Sequence, residues 1–169
     1  MIGPWVGRVR RLGDHINSDY IIASRRKRDT LDERLLRQYL FEAIDPAFAG
    51  SVQPGDILVA GRNFGCGSAM EVAATVIVAA GLQVVVAESF ARAFYRNAVN
   101  NGLAPVIAPT AGFEEGDEIA IEGGPEGVTL LNRRTNLRVT GPPLPPTMAA
   151  ILAAGGLVGY VKQHGRLPQ

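Results

Sequence analysis

A glycine-rich turn wedged between two apolar segments constrains this chain more than any other feature. It runs Gly61-Arg62-Asn63-Phe64-Gly65-Cys66-Gly67-Ser68-Ala69-Met70-Glu71. Before it stands Ile57-Leu58-Val59-Ala60, with the length and apolarity of a strand buried on both faces. After it, residues 72–82 form an Ala/Val/Ile run that is too long for a strand and suited to a buried helix. The turn therefore lies at a strand's carboxyl end, where open α/β sheets bind ligands and helix N-termini offer unpaired N–H groups to anions. Ser68 and Glu71 also fit the S-x-x-E capping box. Two readings of Ser68 follow, a reactive hydroxyl or only a helix cap.

The rest of the chain reads as strands and helices in alternation. Residues 5–9 predict a short first strand, followed by the polar turn at 13–19 and a second apolar stretch, Tyr20-Ile21-Ile22-Ala23, in extended form. A charged loop, Ser24-Arg25-Arg26-Lys27-Arg28-Asp29, precedes Leu31, Leu35, Leu36, Tyr39 and Leu40, whose helical spacing ends at Asp45-Pro46 and predicts an exposed amphipathic helix. Val84-Val85-Val86-Ala87 and residues 103–108 are further buried strands, separated by a helix over 90–100 with Ser89 as its expected cap. This β-α-β-α-β order predicts parallel pairing with right-handed crossovers. Beyond Pro109 the pattern changes to strand, Gly/Pro turn and strand, a small antiparallel unit, before a last helix over 147–154. No internal repeat or linker divides residues 1–169, which are expected to form one domain.

Composition narrows the function classes. With 47% hydrophobic and 20% charged residues the chain is expected to fold, and a formal net charge of +1 gives no general pull toward nucleic acid or an anionic membrane. One cysteine rules out an internal disulfide and a self-contained all-cysteine zinc or iron–sulfur site, and His15 and His164 do not supply the missing ligands, so no metal role is assigned. No uncharged apolar run reaches the roughly 18 residues of a spanning helix, and the first residues lack a signal peptide's apolar core. A cytoplasmic protein is expected.

Three separated segments, in order, resemble one family. Residues 13–22 (Gly-Asp-His-Ile-Asn-Ser-Asp-Tyr-Ile-Ile), 55–68 (through the glycine turn to Ser68) and 88–97 (Glu-Ser-Phe-Ala-Arg-Ala-Phe-Tyr-Arg-Asn) are similar to the small subunit of 3-isopropylmalate dehydratase and homoaconitase. The resemblance covers nearly the whole chain. It implies the swivelling domain of the aconitase superfamily, an α/β fold in three β/β/α layers with a mainly parallel core and a small antiparallel C-terminal unit. It further implies one half of a two-subunit hydro-lyase or isomerase, whose large subunit carries a [4Fe-4S] cluster and whose substrate is a 2-hydroxy dicarboxylate. In such chemistry a metal ion polarises the hydroxyl as a Lewis acid while a base takes a proton from the neighbouring carbon. By resemblance Ser68 is that base, and Gly65, Cys66 and Gly67 belong to the turn whose backbone N–H groups meet the developing charge. The Cys66 thiol itself is read as packed and unreactive rather than nucleophilic.

The chain also departs from the family. Where relatives read Ser-Ser-Arg-Glu-His, this sequence reads Ser68-Ala69-Met70-Glu71-Val72, so a second serine and a carboxylate-binding arginine are absent. A charge-assisted contact of that kind is worth about 1.5–3 kcal/mol. Ala69 and Met70 are expected to make the pocket more apolar and to favour another substituted malate or a secondary-metabolite intermediate. The charged loop aligns with the family's substrate-recognition tetrapeptide at 26–29, which assigns Arg28 to a distal carboxylate. Arg26 and Lys27 either compensate for the arginine absent at Met70 or pair with the large subunit. Arg92 and Arg96 share one helix face and are expected to form ion pairs with the domain or with the partner subunit. A third possibility keeps the fold and loses the chemistry, leaving a non-catalytic interaction subunit.

Overall fold

The structure, a computed structural model, describes residues 2–28 and 30–168. Along the chain its elements are β1 (Ile2–Arg11), α1 (Ser18–Ile21), α2 (Glu33–Leu36), α3 (Phe48–Ser51), β2 (Ile57–Ala60), α4 (Val72–Ala79), β3 (Val84–Ala87), α5 (Arg92–Asn100), β4 (Ala104–Ile107), β5 (Glu118–Gly124), β6 (Gly127–Asn132), β7 (Arg138–Gly141), α6 (Pro146–Ala153) and α7 (Leu157–His164), with 3-10 turns at Ser24–Arg28 and Arg37–Tyr39.

Among the described residues the strands form a seven-stranded sheet in the order β4-β3-β2-β1-β5-β6-β7. The long first strand joins two different halves. Its end pairs parallel to β2, Val9 against Ile57 and Arg11 against Val59, whereas its beginning pairs antiparallel to β5, Trp5 against Ile121 and Gly7 against Ile119. The period of two along β2 and β3 then sorts their side chains into two cores. Leu58, Ala60, Val85 and Ala87 pack with Ala73, Ala74 and Ile77 of α4 and Phe94 and Ala98 of α5. Ile57, Val59, Val84 and Val86 pack instead with Ile119, Ile121, Val128 and Leu130 of the antiparallel half. Antiparallel sheet, parallel sheet and helices are thus three layers, the β/β/α arrangement that the sequence implies.

Several local expectations fail for identifiable reasons. Tyr20 and Ile21 are not extended, although Ile22 is: the Asn17 side chain accepts from Asp19 N at 2.9 Å and starts the helical turn α1, which still buries Ile21. The long helix expected from Leu31 shrinks to α2 and a 3-10 turn, because Phe41 adopts φ 56° and donates its N–H to Ile21 O at 2.9 Å. Leu36, Leu40 and Phe41 are consequently fully buried, while Leu31 is 75% exposed. Ser89 does not cap α5; its hydroxyl accepts from Asn63 N at 2.8 Å. The strand β7 and the helix α7 are additions to the sequence reading.

Two carboxylates gather donors from several segments. Asp56, at the entrance to β2, accepts from Arg8 Nη2 at 2.8 Å and from Gln53 N at 3.0 Å, and lies 3.5 Å from Arg10 Nη1. Arg10, itself buried, also donates to Glu115 at 2.9 Å and to Ser51 Oγ at 2.9 Å. Asp56→Ala removes the shared acceptor and is expected to lower unfolding free energy by about 2–3 kcal/mol in a denaturant titration. Asp117 accepts from Arg134 Nε at 2.6 Å, Glu114 N at 2.9 Å and Asn132 Nδ2 at 2.6 Å, and these donors hold its carboxyl down at about 2. A carboxylate depressed in the folded state stabilises fully above its unfolded value, about 3.9, and that contribution is lost as pH falls through about 2. Asp117→Asn is expected to flatten stability against pH across this window, measured by unfolding midpoints at stepped acid pH.

Candidate active site

The loops that leave β1, β2 and β3 at their carboxyl ends are joined by backbone hydrogen bonds. The glycine turn lies in the middle. On one side Gly61 N donates to Gly13 O at 3.1 Å, His15 N to Arg62 O at 2.7 Å, Gly65 N to Ile16 O at 2.8 Å and Ser18 N to Cys66 O at 2.7 Å. On the other side Phe64 N donates to Ser89 O at 3.0 Å and Ala91 N to Phe64 O at 2.9 Å. Side chains reinforce the seam. Asp14 accepts from Arg62 N at 2.8 Å and from its guanidinium at 3.3 Å, contacts that hold the Asp14 carboxyl below the ordinary range. Asn63 Nδ2 lies 3.2 Å from His15 Nδ1.

Two glycines permit the close fit. Gly65, at φ 76°, has the Phe94 ring where a side chain would be, and at Gly67, φ 88°, a Cβ would stand 2.5 Å from Asn17 Oδ1. Phe64 is fully buried between Phe90 and Phe94, with ring centroids 6.0 Å and 5.0 Å away, and anchors the turn to α5.

The capping box does not form. The residue preceding α4 is Glu71 in helical conformation without a side-chain cap, and its carboxylate accepts instead from Asn101 Nδ2 at 3.2 Å. Ser68 is exposed, and its hydroxyl has no hydrogen-bond partner among the described residues. Its carbonyl is fixed by the buried Ser18, whose Oγ donates to it at 2.7 Å. Sequence reasoning passed over Ser18; its only signal was its place in the polar motif. The backbone N–H groups of Gly67, Ser68, Ala69 and Met70 likewise find no acceptor among the described residues. An exposed hydroxyl thus stands among unpaired amides at a helix start, the arrangement that favours negative charge. Gly65 is buried, Gly67 exposed and Cys66 half-buried with a free thiol.

The basic segment is a folded 3-10 turn rather than a solvated loop. Asp19 Oδ1 accepts from Ser24 N at 3.3 Å and from Ser24 Oγ at 2.5 Å. Arg26 donates to Glu42 through Nε at 2.9 Å and Nη2 at 2.7 Å, and lies 3.7 Å over the Tyr39 ring. That bidentate contact is the main reason the Glu42 carboxyl falls below its ordinary range, and it commits Arg26 to the scaffold. Lys27 reaches the glycine turn, with Nζ 2.8 Å from Met70 Sδ, while Ser24 Oγ is 3.8 Å from the same sulfur. Arg28 is exposed and has no ion pair or hydrogen bond among the described residues; Asp29, the last member of the aligned tetrapeptide, lies outside them. Met70 is only 9% exposed and packs in the helix-side core, so it does not coat an open pocket with apolar surface. Arg92 and Arg96 make no ion pair among the described residues, and both are exposed.

No group of three or more His, Cys, Asp or Glu side chains among the described residues is placed to hold a metal ion. With a single half-buried cysteine at the turn, this chain's residues do not fit a [4Fe-4S] cluster.

Comparison with known proteins agrees with this geometry. Residues 17–111 match the aconitase C-terminal domain family. The chain is 45% identical over 160 residues to the 3-isopropylmalate dehydratase small subunit of Desulfovibrio desulfuricans, spanning 94% of this chain and 95% of that protein. It is 41% identical to the methanogen homoaconitase small subunit of Methanocaldococcus jannaschii, over 94% of this chain and 91% of that one. A crystal structure of 3-isopropylmalate dehydratase from Methanocaldococcus jannaschii superimposes with a TM-score of 0.88 at 40% identity, covering 95% of this chain and 94% of the other. Motif order, fold and near full-length similarity converge: the chain belongs to the aconitase-type family of small subunits that includes those of 3-isopropylmalate dehydratase and homoaconitase.

Proposed function

We propose that this chain is the small subunit of a cytoplasmic two-subunit hydro-lyase that dehydrates and rehydrates a 2-hydroxy dicarboxylate, with 3-isopropylmalate, an intermediate of leucine biosynthesis, as the nearest substrate. The observation that carries the reading is Ser68: freed from capping, it is exposed beside four amides that have no acceptor among the described residues, where the three loops meet. An ordinary alcohol is far too weak a base for a carbon-bound proton, so Ser68 acts only where positive potential stabilises its alkoxide-like form. The helix start and the Gly67–Met70 amides supply part of that potential, and Ser18 fixes the turn's orientation through the Ser68 carbonyl. The [4Fe-4S] cluster belongs in this reading to a large-subunit partner, which agrees with a chain that has no ligand set for one. This chain's share is to position substrate carboxylates and to hold and return the proton at Ser68 Oγ.

Arg28 favours a second reading of the substrate. It is exposed, with no partner among the described residues, on the turn that carries Lys27, and is available to a carboxylate at the far end of a longer substrate of the homoaconitase kind. Met70, being buried, weakens the case for a substrate chosen for bulk.

Ser68→Ala separates enzyme from interaction subunit. Reconstituted anaerobically with its large subunit, the variant is expected to lose at least about a hundredfold in kcat while partner affinity stays unchanged. Its unfolding free energy is also expected to hold, whereas loss of a true cap costs about 1 kcal/mol. Retained turnover overturns the catalytic assignment. Arg28→Ala is expected to reduce kcat/KM about tenfold or more for substrates with a distal carboxylate and to leave 3-isopropylmalate within about twofold. Equal effects on both would remove Arg28 from substrate selection.

A further inference from the structure

We propose that the pocket between α5 and α6 is a binding site for a small aliphatic carboxylate, separate from the Ser68 turn. Its volume is about 290 Å³, and it is lined by Phe90, Arg92, Tyr95, Arg96, Ile107 and Met148. That size lies at the small end of the range for ligand pockets. None of these residues belongs to the turn at 61–71. The lining divides into three polar ends, on Arg92, Arg96 and Tyr95, and an apolar wall made by the other three.

The polar ends are all donors. Arg92 and Arg96 stand four residues apart on α5, exposed and with no ion pair or hydrogen bond among the described residues. Like charges at this spacing repel, and Arg92 opens the helix, the end at which the macrodipole disfavours a cation. An anion between the two guanidiniums relieves both. Tyr95 adds a third donor. Its hydroxyl is half-buried without a hydrogen-bond partner among the described residues, and burial pushes its pKa up, so it stays a protonated phenol. Glu88, the nearest described carboxylate in sequence, lines a neighbouring pocket that shares Ile107 and accepts from Thr110 Oγ1 at 3.3 Å. The described lining thus offers donors alone, and the planar guanidinium fork matches a carboxylate in shape as well as charge.

The apolar wall selects what that carboxylate is attached to. Ile107, at the end of β4, is 37% exposed, and Met148 on α6 contributes an adaptable thioether chain. The Phe90 ring is stacked 6.3 Å from Phe94 and meets Tyr95 edge-on at 5.8 Å. A wall fixed by its own packing needs little further ordering when a ligand arrives. An alkyl chain covers this surface, whereas a second charged group would be desolvated against it. At about 30 Å³ for each water-sized group, the space admits roughly ten heavy atoms at most.

The test uses the full chain with its three methionine methyl groups labelled with carbon-13, titrated with 4-methylpentanoate. Met148 lines the pocket and Met70 lies in the glycine turn, so their signals tell the two sites apart. The Met148 signal is expected to move saturably, with a Kd of about 1 mM or tighter, while Met70 stays in place. Neutral 4-methylpentanamide, and acetate, which keeps the charge and lacks the chain, are each expected to bind at least about tenfold more weakly. Arg92→Gln and Arg96→Gln are each expected to weaken the acid about fivefold or more and to leave the amide unchanged. No saturation by about 10 mM, equal affinity for the acid and either control, unaltered binding in both arginine variants, or movement of Met70 in place of Met148 overturns the assignment. Loss of large-subunit affinity in these variants, with no probe bound by wild type, makes the arginine pair a subunit contact and overturns it as well. None of these outcomes touches the dehydratase reading, because turnover is not measured.

Discussion

The backbone seam on both sides of the glycine turn is the constraint on which the site depends. A turn after a buried strand is ordinarily free to sample many conformations, because its amides and carbonyls are satisfied by water. Here residues 61–66 are tied on one side to 13–18 and on the other to 89–91. The turn becomes an extension of the parallel sheet, and whatever follows it is placed with sheet precision. Ser68, the first exposed side chain beyond the seam, inherits that placement without being held by its own hydroxyl. Fixing a reactive group through its backbone leaves the side chain available for chemistry.

The layering was legible where the sequence carried its own period. The β2, β3 and β4 segments are short, unbroken apolar runs, which only a sheet covered on both faces accommodates. The three-layer order then follows from alternation along β2 and β3. Segments whose conformation is decided by a distant partner were not legible. Residues 30–45 have helical spacing, yet a hydrogen bond from Phe41 N to Ile21 O halts the helix, and no local pattern announces a contact twenty residues away. The α7 segment was obscured by Gly159, a poor helix former that the close approach of the Ala154 carbonyl requires.

The site itself was half legible. The motif located Ser68 and its turn, but the S-x-x-E spacing equally described a cap, and only the position of Glu71 against Asn101 shows that the capping box does not form. A run of four basic residues carries no information about which of them is neutralised. That depends on Glu42, sixteen residues from Arg26, and on Tyr39 beneath its guanidinium. The family resemblance, not charge content, suggested a role for the loop in substrate contact; ion pairing assigns Arg26 to the scaffold and leaves Lys27 and Arg28 to other uses.

On the proposed function, an exposed turn also accounts for the need for a second subunit. Gly67, Ser68 and Ala69 face solvent. Two opposite charges 4 Å apart attract by about 1 kcal/mol in water and about 4 kcal/mol at an effective dielectric constant near 20. In the proposed mechanism the amides beside Ser68 are therefore weak stabilisers of an alkoxide while water competes for them. Covering the turn excludes that water without moving a donor, because the seam has already fixed them. In the proposed assembly the large subunit thus contributes more than its cluster: by closing over the turn it changes the strength of interactions that this chain has placed but cannot itself shield.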